Sequence, residues 1–499
     1  MQQQEVHGKL PEEIIRFLQN EGGHSLIVKG SAGTGKTTFS LQLIEEIKGL
    51  QNSYYLSTRV SDESLYLQFP WLKQKIEQSK LKIAEKAEKL NVDRTELRKL
   101  EGQIELGEAD EFGAQFHGEV DEEGIVLDLG SYLPEVDVIY DTIEEALPRK
   151  TLVVIDSINA LSERYGIPAP KLINTFQRDL VESTKANVIY VLENSKETML
   201  DYLGDGVVSL FHTSDRNGRR IRMMDIQKLR GCEIPHSKYI YTLLGGRLRV
   251  FGPQRFNGHA VKGRWNPISD PNEFLVSTGC KELDELLGGG FKRGSINLVE
   301  IGDNIQTEHA DIFENSLVCN FASKNRGVVW IPTKKATSNT VKQAIGPQLP
   351  NHALEDNVRV YEKYGEGGAD GIYHHIEGND VAQDLEWRTA KYDLSKSESP
   401  LLLLASFDTM EAIYATNNLV EDISDVLTFI RRMGDIFVGI TTPSTISTQR
   451  LSDIARTHIK MENIGGTTVV YCEKPHTELY AMEISTENGY PMAKLSPIL

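Results

Sequence analysis

The fold is decided by an apolar run, Ser25-Leu26-Ile27-Val28-Lys29, that leads directly into a glycine-rich loop, Gly30-Ser31-Ala32-Gly33-Thr34-Gly35-Lys36-Thr37-Thr38. The segment after the loop carries apolar Leu41, Leu43 and Ile44 at the spacing of an amphipathic helix. Residues 30–37 match the pattern G-x-x-x-x-G-K-[ST]. The predicted order of strand, glycine loop and helix is the structural context in which this pattern occurs. The stretch therefore predicts a phosphate-binding loop.

The chemistry of this loop predicts a site for a nucleotide with Mg²⁺. Glycines let the backbone N–H groups turn inward around phosphate oxygens, and the helix N-terminus adds its positive end. Lys36 is expected to reach the β- and γ-phosphates, and the Thr37 hydroxyl to ligate Mg²⁺. The predicted nucleotide-binding residues are Gly30, Ser31, Ala32, Gly33, Thr34, Gly35, Lys36, Thr37 and Thr38.

A second apolar run, Leu152-Val153-Val154-Ile155-Asp156, ends in a carboxylate. In phosphate-loop proteins such a strand-end Asp orients magnesium or a water bound to it. We therefore predict that Thr37 and Asp156 form the metal site, and that Asp156 acts in catalysis together with Lys36. An Asp that only caps the next helix is the simpler alternative.

Further apolar runs at 54–58 and 187–193 alternate with helix-length segments, which indicates a parallel sheet covered on both faces. The pattern restarts at 296–301 and continues at 401–404 and 437–442, and each half ends near a Gly-Gly pair, Gly245-Gly246 or Gly465-Gly466. The sequence thus predicts two copies of one doubly wound α/β fold with mostly parallel sheets. We expect one domain over 1–252, a linker over 253–272 and a second domain over 273–499, with a charged helical hairpin inserted at about 72–124. That insert has either solvated faces or a partner-binding role.

The second half lacks the phosphate-loop residues. If Gly302 opens the loop, Thr307 replaces the second glycine, Glu308 the lysine and His309 the magnesium-binding hydroxyl. A carboxylate there would repel a triphosphate. Ser406 is the expected counterpart of Asp156, with Asp408 two residues on. We therefore expect a degenerate domain that packs or recruits a partner.

The 499 residues carry a formal net charge of −18, from 54 basic and 72 acidic residues, with 39% hydrophobic and 25% charged residues. This composition is typical of globular domains and excludes a disordered or collagen-like chain. The negative charge disfavours binding to DNA or anionic membranes except through a local basic patch. The sequence has neither a long apolar run nor a signal-peptide pattern at its start, and its four cysteines lack metal-site spacing. We expect a cytoplasmic protein with reduced thiols.

Three segments together resemble RecA-superfamily ATPases of the KaiC type. They are residues 154–161, the Lys228-Leu229-Arg230-Gly231 segment, and residues 277–290, which run from Ser-Thr-Gly-Cys to Gly-Gly-Gly. The resemblance implies two RecA-like domains and covers nearly the whole chain except the insert and the linker. It also implies that Lys228 and Arg230 reach the γ-phosphate of a neighbouring subunit, so that oligomerisation, for example into a ring, completes the site. A solvated basic strand is the alternative for these two residues.

One departure from that family concerns the attacking water. KaiC-like ATPases carry a pair of glutamates after the second strand, whereas Arg59 and Val60 stand there in this chain. Asp62 or Glu63 lies two or three residues out of register. The resemblance therefore implies ATP binding with slow hydrolysis.

A basic segment over 215–222 contains Arg216, Arg219, Arg220 and Arg222 and has no interleaved aromatic residues. It predicts either contact with nucleic-acid phosphates or an acidic protein surface, or else a solvated hairpin turn. Residues 55–61 and 65–72 are similar to the gas-vesicle regulatory protein D family. That family is understood to repress gas-vesicle genes by binding their activator, which implies a regulatory protein partner.

Together these patterns predict an ATP-binding regulatory protein whose nucleotide state controls assembly or a partner. The alternative is a RecA- or RadA-like paralogue that handles DNA in recombination or repair. A scaffold that binds ATP without hydrolysing it is a third possibility. The sequence offers no sign of a membrane segment.

Overall fold

The computed structural model describes residues 9–47, 52–58, 62–69, 81–83, 134–193, 199–253, 263–334, 336–363, 371–416 and 418–499. The described chain divides into two compact units. The first unit takes its residues from 1–212, 223–237 and 243–250, and the second from 213–222, 238–242 and 251–499.

The strands of the first half are, in chain order, β1 (Ser25–Gly30), β2 (Asn52–Ser57), β3 (Leu81–Ile83), β4 (Thr151–Asp156), β5 (Asn187–Leu192), β6 (Gly206–Ser214), β7 (Arg220–Leu229), β8 (Lys238–Thr242) and β9 (Arg249–Phe251). They form one sheet with the order β3-β2-β4-β5-β1-β6-β7-β8-β9. β1 runs parallel to both of its neighbours, β5 and β6, and β4 runs parallel to β2 and β5. The loops that follow β1, β2, β4 and β5 therefore leave the sheet at one edge.

The helices of the first half are α1 (Glu12–Gln19), α2 (Lys36–Glu46), α3 (Asp62–Gln68), α4 (Pro134–Ala146), α5 (Ile158–Tyr165) and α6 (Ala169–Phe176), which continues as a π-helix over Gln177–Ser183. α1 follows Pro11, whose fixed φ suits the position before a helix. Ile14 and Leu18 are fully buried, as their four-residue spacing predicts.

The strands of the second half are β10 (Leu275–Val276), β11 (Phe291–Lys292), β12 (Ile296–Ile301), β13 (Arg326–Ile331), β14 (Val358–Glu362), β15 (Tyr373–His375), β16 (Glu398–Ser406), β17 (Ile436–Thr441), β18 (Thr457–Ile464), β19 (Thr467–Lys474), β20 (Tyr480–Ser485) and β21 (Met492–Pro497). β10 and β11 pair with each other, and the others form a sheet with the order β15-β14-β13-β16-β17-β12-β18-β19-β20-β21. β12 lies between β17 and β18 and runs parallel to both, as β1 does between β5 and β6. The predicted repeat of one α/β, RecA-like sheet is confirmed.

The helices of the second half are α7 (Lys281–Leu286), α8 (Thr307–Ala322), α9 (Ser338–Ile345), α10 (Asn351–Asn357), α11 (Val381–Asp384), α12 (Trp387–Asp393), α13 (Phe407–Tyr414), α14 (Leu419–Asp422), α15 (Ser424–Met433) and α16 (Thr448–Ile454). Within this unit, Val328 and Leu402 belong to one buried cluster, whereas Val329 and Leu403 belong to another. Successive strand residues point to opposite faces, so the central strands are buried on both faces.

Two expectations about the chain's organisation need correction. Leu81–Ile83, inside the predicted helical insert, forms the edge strand β3 parallel to β2, because its Leu-Lys-Ile alternation suits a sheet edge. The rest of the insert lies outside the described residues, as do residues 254–262 of the linker. The two Gly-Gly pairs are not equivalent either, since Gly245-Gly246 lies between β8 and β9 and Gly465-Gly466 between β18 and β19. By strand order, the latter pair corresponds to the β6–β7 turn.

Two further features concern the helices and the cysteines. Within the part of the chain that the structure describes, no helix is both long and apolar enough to cross a bilayer. All four cysteines carry free thiols, and Cys280, Cys319 and Cys472 are buried.

Candidate phosphate and magnesium site

The phosphate loop joins the buried strand β1 to the helix α2, as the sequence predicts. All six residues of β1 are buried. Gly35 is the N-cap of α2, with φ 88°, and Gly33 has φ 74°. Ser31, Ala32 and Gly33 form the exposed tip of the loop, and Thr38 is buried in the first turn of α2. The loop backbone and the helix N-terminus are thus open to an anion.

Glycine is required in this loop for two different reasons. A Cβ atom on Gly30 would lie 2.3 Å from the carbonyl oxygen of Leu210 on the neighbouring strand β6. Gly35 has a left-handed backbone, and a Cβ there would also lie 2.8 Å from the Leu243 side chain. The first glycine is therefore needed for strand packing and the second for the turn into the helix.

The ammonium group of Lys36 lies across the loop. Its Nζ donates hydrogen bonds to the carbonyl oxygens of Gly30, at 2.8 Å, and Ser31, at 3.0 Å. The Thr34 hydroxyl donates to the same Ser31 carbonyl at 2.9 Å. Charged phosphate oxygens accept hydrogen bonds from an ammonium more strongly than carbonyl oxygens do. A nucleotide phosphate could therefore replace these carbonyls as the partner of Lys36.

Asp156 lies at the end of β4, beside the first turn of α2. Its Oδ2 atom accepts a hydrogen bond from the Thr37 hydroxyl at 2.7 Å and another from the Tyr55 hydroxyl at 2.6 Å. Hydroxyl and carboxylate oxygens are ligands that Mg²⁺ accepts, usually alongside waters and substrate phosphates. Thr37 and Asp156 therefore fit a site for Mg²⁺, which when bound would neutralise charge on the phosphates.

Tyr55 is a site residue that the sequence analysis missed. Burial, and secondly the charge of Asp156, raise the pKa of its hydroxyl well above the usual value, so Tyr55 remains a hydrogen-bond donor to Asp156. Ser57 pairs with Asp156 in the parallel register, and Tyr55 lies two residues earlier on the same face. That pairing could have revealed Tyr55, but it requires knowing that β2 and β4 are neighbours.

A second group of polar side chains lies at the same edge of the sheet. The Thr58 hydroxyl donates to the Asp156 carbonyl at 3.0 Å and accepts from the Ser157 N–H at 2.9 Å. The Ser157 hydroxyl donates to Oε1 of Glu193 at 3.1 Å, and the Glu193 N–H donates to Oδ1 of Asn159 at 3.1 Å. Glu193 is the second residue that the sequence analysis missed as part of this site.

The structure leaves the expected water-positioning segment untested. Arg59 and Val60, which stand where the family has glutamates, lie outside the described residues. The backbone of Asp62 and Glu63 begins α3, but their side chains also lie outside the described part of the chain. The prediction of slow hydrolysis that rests on this segment stays a prediction.

Lys228 and Arg230 lie near one another, and Arg230 lies away from the phosphate loop of its own chain. Lys228 donates to the Gly204 carbonyl at 2.6 Å, and its pKa is lowered by burial and then by Arg230. Arg230 pairs with Asp205 at 2.9 Å and stays 68% exposed. Asp205 also accepts from the Ser25 N–H at the start of β1, whereas the phosphate loop begins at the other end of β1. Six strand residues, or about 16 Å, separate those ends.

The basic segment is only partly available to a partner, because two of its four arginines are buried. Arg219 is 1% exposed: its guanidinium pairs with Asp215 at 3.0 Å and Glu473 at 3.3 Å and lies over the Tyr471 ring. Arg222 is buried and donates to the Leu499 carbonyl at 2.7 Å. Arg216 and Arg220 are exposed. Two of the four arginines that could bind DNA phosphates are therefore buried in contacts within the second unit.

The degenerate loop of the second half is one residue out of the predicted register. Lys29 pairs with the last residue of β5, and Glu300 pairs with the last residue of β17. Lys29 and Glu300 are therefore equivalent positions. The helix that follows each of them begins seven residues later, at Lys36 and at Thr307, so Thr307 stands at the position of Lys36. Glu308 then replaces Thr37, the magnesium-binding hydroxyl, and His309 replaces Thr38. The sequence could not show this because it does not mark where β12 ends.

The other polar positions of the second half have also changed. Ser406 pairs with the penultimate residue of β17, as Asp156 does with that of β5, so Ser406 is the structural counterpart of Asp156. Trp330 occupies the position of Tyr55 and donates to buried Glu314 at 3.2 Å. Burial, and then the charge of Asp311, raise the pKa of Glu314 to about 8. The second half thus holds neither the lysine nor the carboxylate of the first site.

The sequence of this chain is similar to known protein families in both halves. A family model described as "GvpD gas vesicle protein, P-loop domain" matches residues 14–227, and one described as "GvpD basic region 2" matches residues 264–372. Over these residues the chain is similar to GvpD, and its first half is similar to a P-loop domain. Both resemblances expected from the sequence are confirmed, and a P-loop domain implies nucleotide binding.

The similarity to GvpD extends over nearly the whole chain. Protein GvpD2 of Halobacterium salinarum is 26% identical, over 98% of this chain and 96% of its own length. Protein GvpD1 of the same organism is 22% identical with the same coverage. The circadian clock oscillator protein KaiC of Parathermosynechococcus lividus is 24% identical over 55% of this chain and 46% of its own length. The GvpD similarity therefore reaches far beyond residues 55–72, on which the sequence resemblance rested.

Proposed function

We propose that this chain binds Mg-ATP at the phosphate loop of its first half, hydrolyses it slowly, and uses its nucleotide state to control self-assembly or a regulatory protein partner. The observation that carries this proposal is the contact between the Thr37 hydroxyl and the Asp156 carboxylate beside the first turn of α2. This contact between the two expected magnesium ligands, next to Lys36 and an open loop, supports a shared site for the metal and the nucleotide.

Each chain would bind one nucleotide. The second half repeats the strand order of the first and adds the edge strand β15, but Thr307 and Glu308 stand where Lys36 and Thr37 are needed. An ammonium attracts a triphosphate and a carboxylate repels it. The second half would then act through its packing or its surface.

Assembly into a homo-oligomer, of which a ring is one form, would complete the site. Arg230 is exposed and lies at the end of β1 opposite the phosphate loop of its own chain. A second copy could bring its Arg230 to that loop, where a guanidinium would stabilise the charge that develops during phosphoryl transfer. Because Arg230 lies at the opposite end of β1 from the phosphate loop of its own chain, nothing supports a role for it in the site of that same chain.

The resemblance to GvpD narrows the biological role. We propose a cytoplasmic regulatory protein that represses gas-vesicle genes through a protein partner. The burial of Arg219 and Arg222 and the net charge of −18 weigh against the alternative of a DNA-handling paralogue. Strongly salt-dependent binding to single-stranded DNA would favour that alternative.

The proposal is tested by phosphate release from Mg-ATP per protomer across a protein dilution series. We expect slow turnover that rises with protein concentration, is lost in Lys36→Ala and falls at least tenfold in Arg230→Ala. Arg216→Ala, another exposed arginine, is the matched control and should behave as the wild type.

Two outcomes would count against parts of this proposal. Turnover per protomer that is independent of concentration, and unchanged in Arg230→Ala, would remove the shared site. No turnover above the Lys36→Ala background, with ATP still bound, would leave a nucleotide-sensing scaffold.

A further inference from the structure

The carboxylate of Glu193 lies beside the phosphate loop, and the proposed function assigns it no role. β5 ends at Leu192, which pairs with Lys29, so Glu193 follows beside Gly30, the first residue of the phosphate loop. On the other side of β5, Val191 pairs with Asp156. Glu193 therefore emerges between the phosphate loop and the proposed magnesium ligand. Ligands of parallel α/β sheets bind at this carboxyl edge of the strands.

The surroundings of Glu193 fix its place. The Ser157 hydroxyl, which donates to Oε1 of Glu193 at 3.1 Å, also accepts the Ala160 N–H as the N-cap of α5. Asn159 in the first turn of that helix accepts the Glu193 N–H. Ser157 is 1% exposed, whereas Glu193 is half-buried. The N-terminus of α5 thus fixes both the backbone and the carboxylate of Glu193 beside the phosphate loop.

A carboxylate at this place does not serve to bind phosphate, because two negative groups repel each other. It can act on a neutral molecule between itself and the phosphate. We propose that Glu193 orients the water that attacks the γ-phosphate. This inference rests on the proposed function, since it assigns a residue to hydrolysis at the same site.

The reaction is hydrolysis of a nucleoside triphosphate. The water oxygen forms a bond to the γ-phosphorus while the bond from that phosphorus to the β–γ bridging oxygen breaks, and its electron pair stays on the β-phosphate. The products are ADP, inorganic phosphate and a proton. Glu193 accepts a hydrogen bond from the water and aligns its oxygen with the phosphorus, as positioned carboxylates do in catalysis.

Glu193→Gln tests this role because a glutamine keeps the size of the side chain and an oxygen that can accept from Ser157. We expect Mg-ATP affinity equal to or tighter than that of the wild type, an unchanged melting temperature, and a phosphate-release rate about 100-fold lower. The expected loss is therefore in kcat, with no rise in KM. Exposed Glu182→Gln is the matched control and should keep wild-type turnover.

The outcomes separate this inference from the proposed function. Wild-type turnover in Glu193→Gln, or loss of turnover in Glu63→Gln instead, would overturn the inference and leave nucleotide binding intact. A weaker Mg-ATP affinity or a lower melting temperature that accounts for the lost turnover would make Glu193 structural and also overturn it. Mg-ATP binding without hydrolysis in the wild type would overturn the inference and the hydrolysis part of the proposed function but leave nucleotide binding intact, whereas failure to bind Mg-ATP would overturn both.

Discussion

At the scale of single residues, two neighbouring arginines have opposite surroundings. Arg219 is surrounded by acceptors from β19 and the residues after it, including the carbonyls of Cys472 and Thr477. Arg220 is exposed. The sequence shows four arginines in seven residues and gives no means of telling which of them are buried. The fold of the β6–β7 turn decides which of these arginines are buried and which are exposed.

Replacing Arg219 by Ala should destabilise the second unit by about 3 kcal/mol, because it leaves Asp215 and Glu473 without their cation. The matched variant Arg220→Ala should change the free energy of unfolding by less than about 0.5 kcal/mol. Urea denaturation followed by tryptophan fluorescence and by circular dichroism would measure both. Equal stability of the two variants would contradict the buried network.

The residues of the proposed nucleotide site also fall into two groups, those that the sequence predicts and those that it does not. Lys36, Thr37 and Asp156 were predictable because a spaced motif and a strand-end carboxylate mark them locally. Tyr55 and Glu193 were not, since each reaches the site only through strand pairing, Tyr55 from β2 and Glu193 from β5. Their positions depend on sheet order, which a single sequence does not record.

At the scale of elements, the phosphate loop combines two kinds of glycine. Gly30 lies against the backbone of β6, where no Cβ fits, whereas Gly33 has a left-handed backbone but open space around it. The first constraint comes from packing and the second from conformation alone. They should therefore respond differently to the same substitution.

Gly30→Ala should abolish Mg-ATP binding, because its Cβ would push β1 and β6 apart. Gly33→Ala should cost about 1 to 2 kcal/mol through backbone strain and weaken binding only about tenfold. Titration with a fluorescent ATP analogue would compare the two variants, with circular dichroism as the control for folding. Tighter binding by Gly30→Ala than by Gly33→Ala would contradict this explanation of the loop.

The order of the central parallel strands was predictable in both halves because apolar strands alternate there with helix-length segments, whereas β6 to β9 and β18 to β21 follow one another without an α-helix between them. The exact register was not. A shift of one residue at the end of β12 moves Glu308 from the position of Lys36 to that of Thr37. Local patterns locate a strand, but only its hydrogen-bonded neighbours decide which residue is its last.

At the scale of the whole molecule, one sheet order is used twice, but only one copy keeps the side chains of a nucleotide site. The similarity to GvpD covers both halves, whereas the similarity to KaiC covers about half of this chain. The central claim is that each chain binds one Mg-ATP, and that it does so in the first half.

Isothermal titration calorimetry with Mg-ATP and a slowly hydrolysed analogue tests this claim most directly. We predict one site per chain, with binding weakened about 10- to 100-fold in Lys36→Ala through loss of a charge-assisted hydrogen bond. Lys171→Ala, which removes an exposed lysine from α6, should bind as the wild type does. Two sites per chain, or one site that Lys36→Ala leaves intact, would contradict the account.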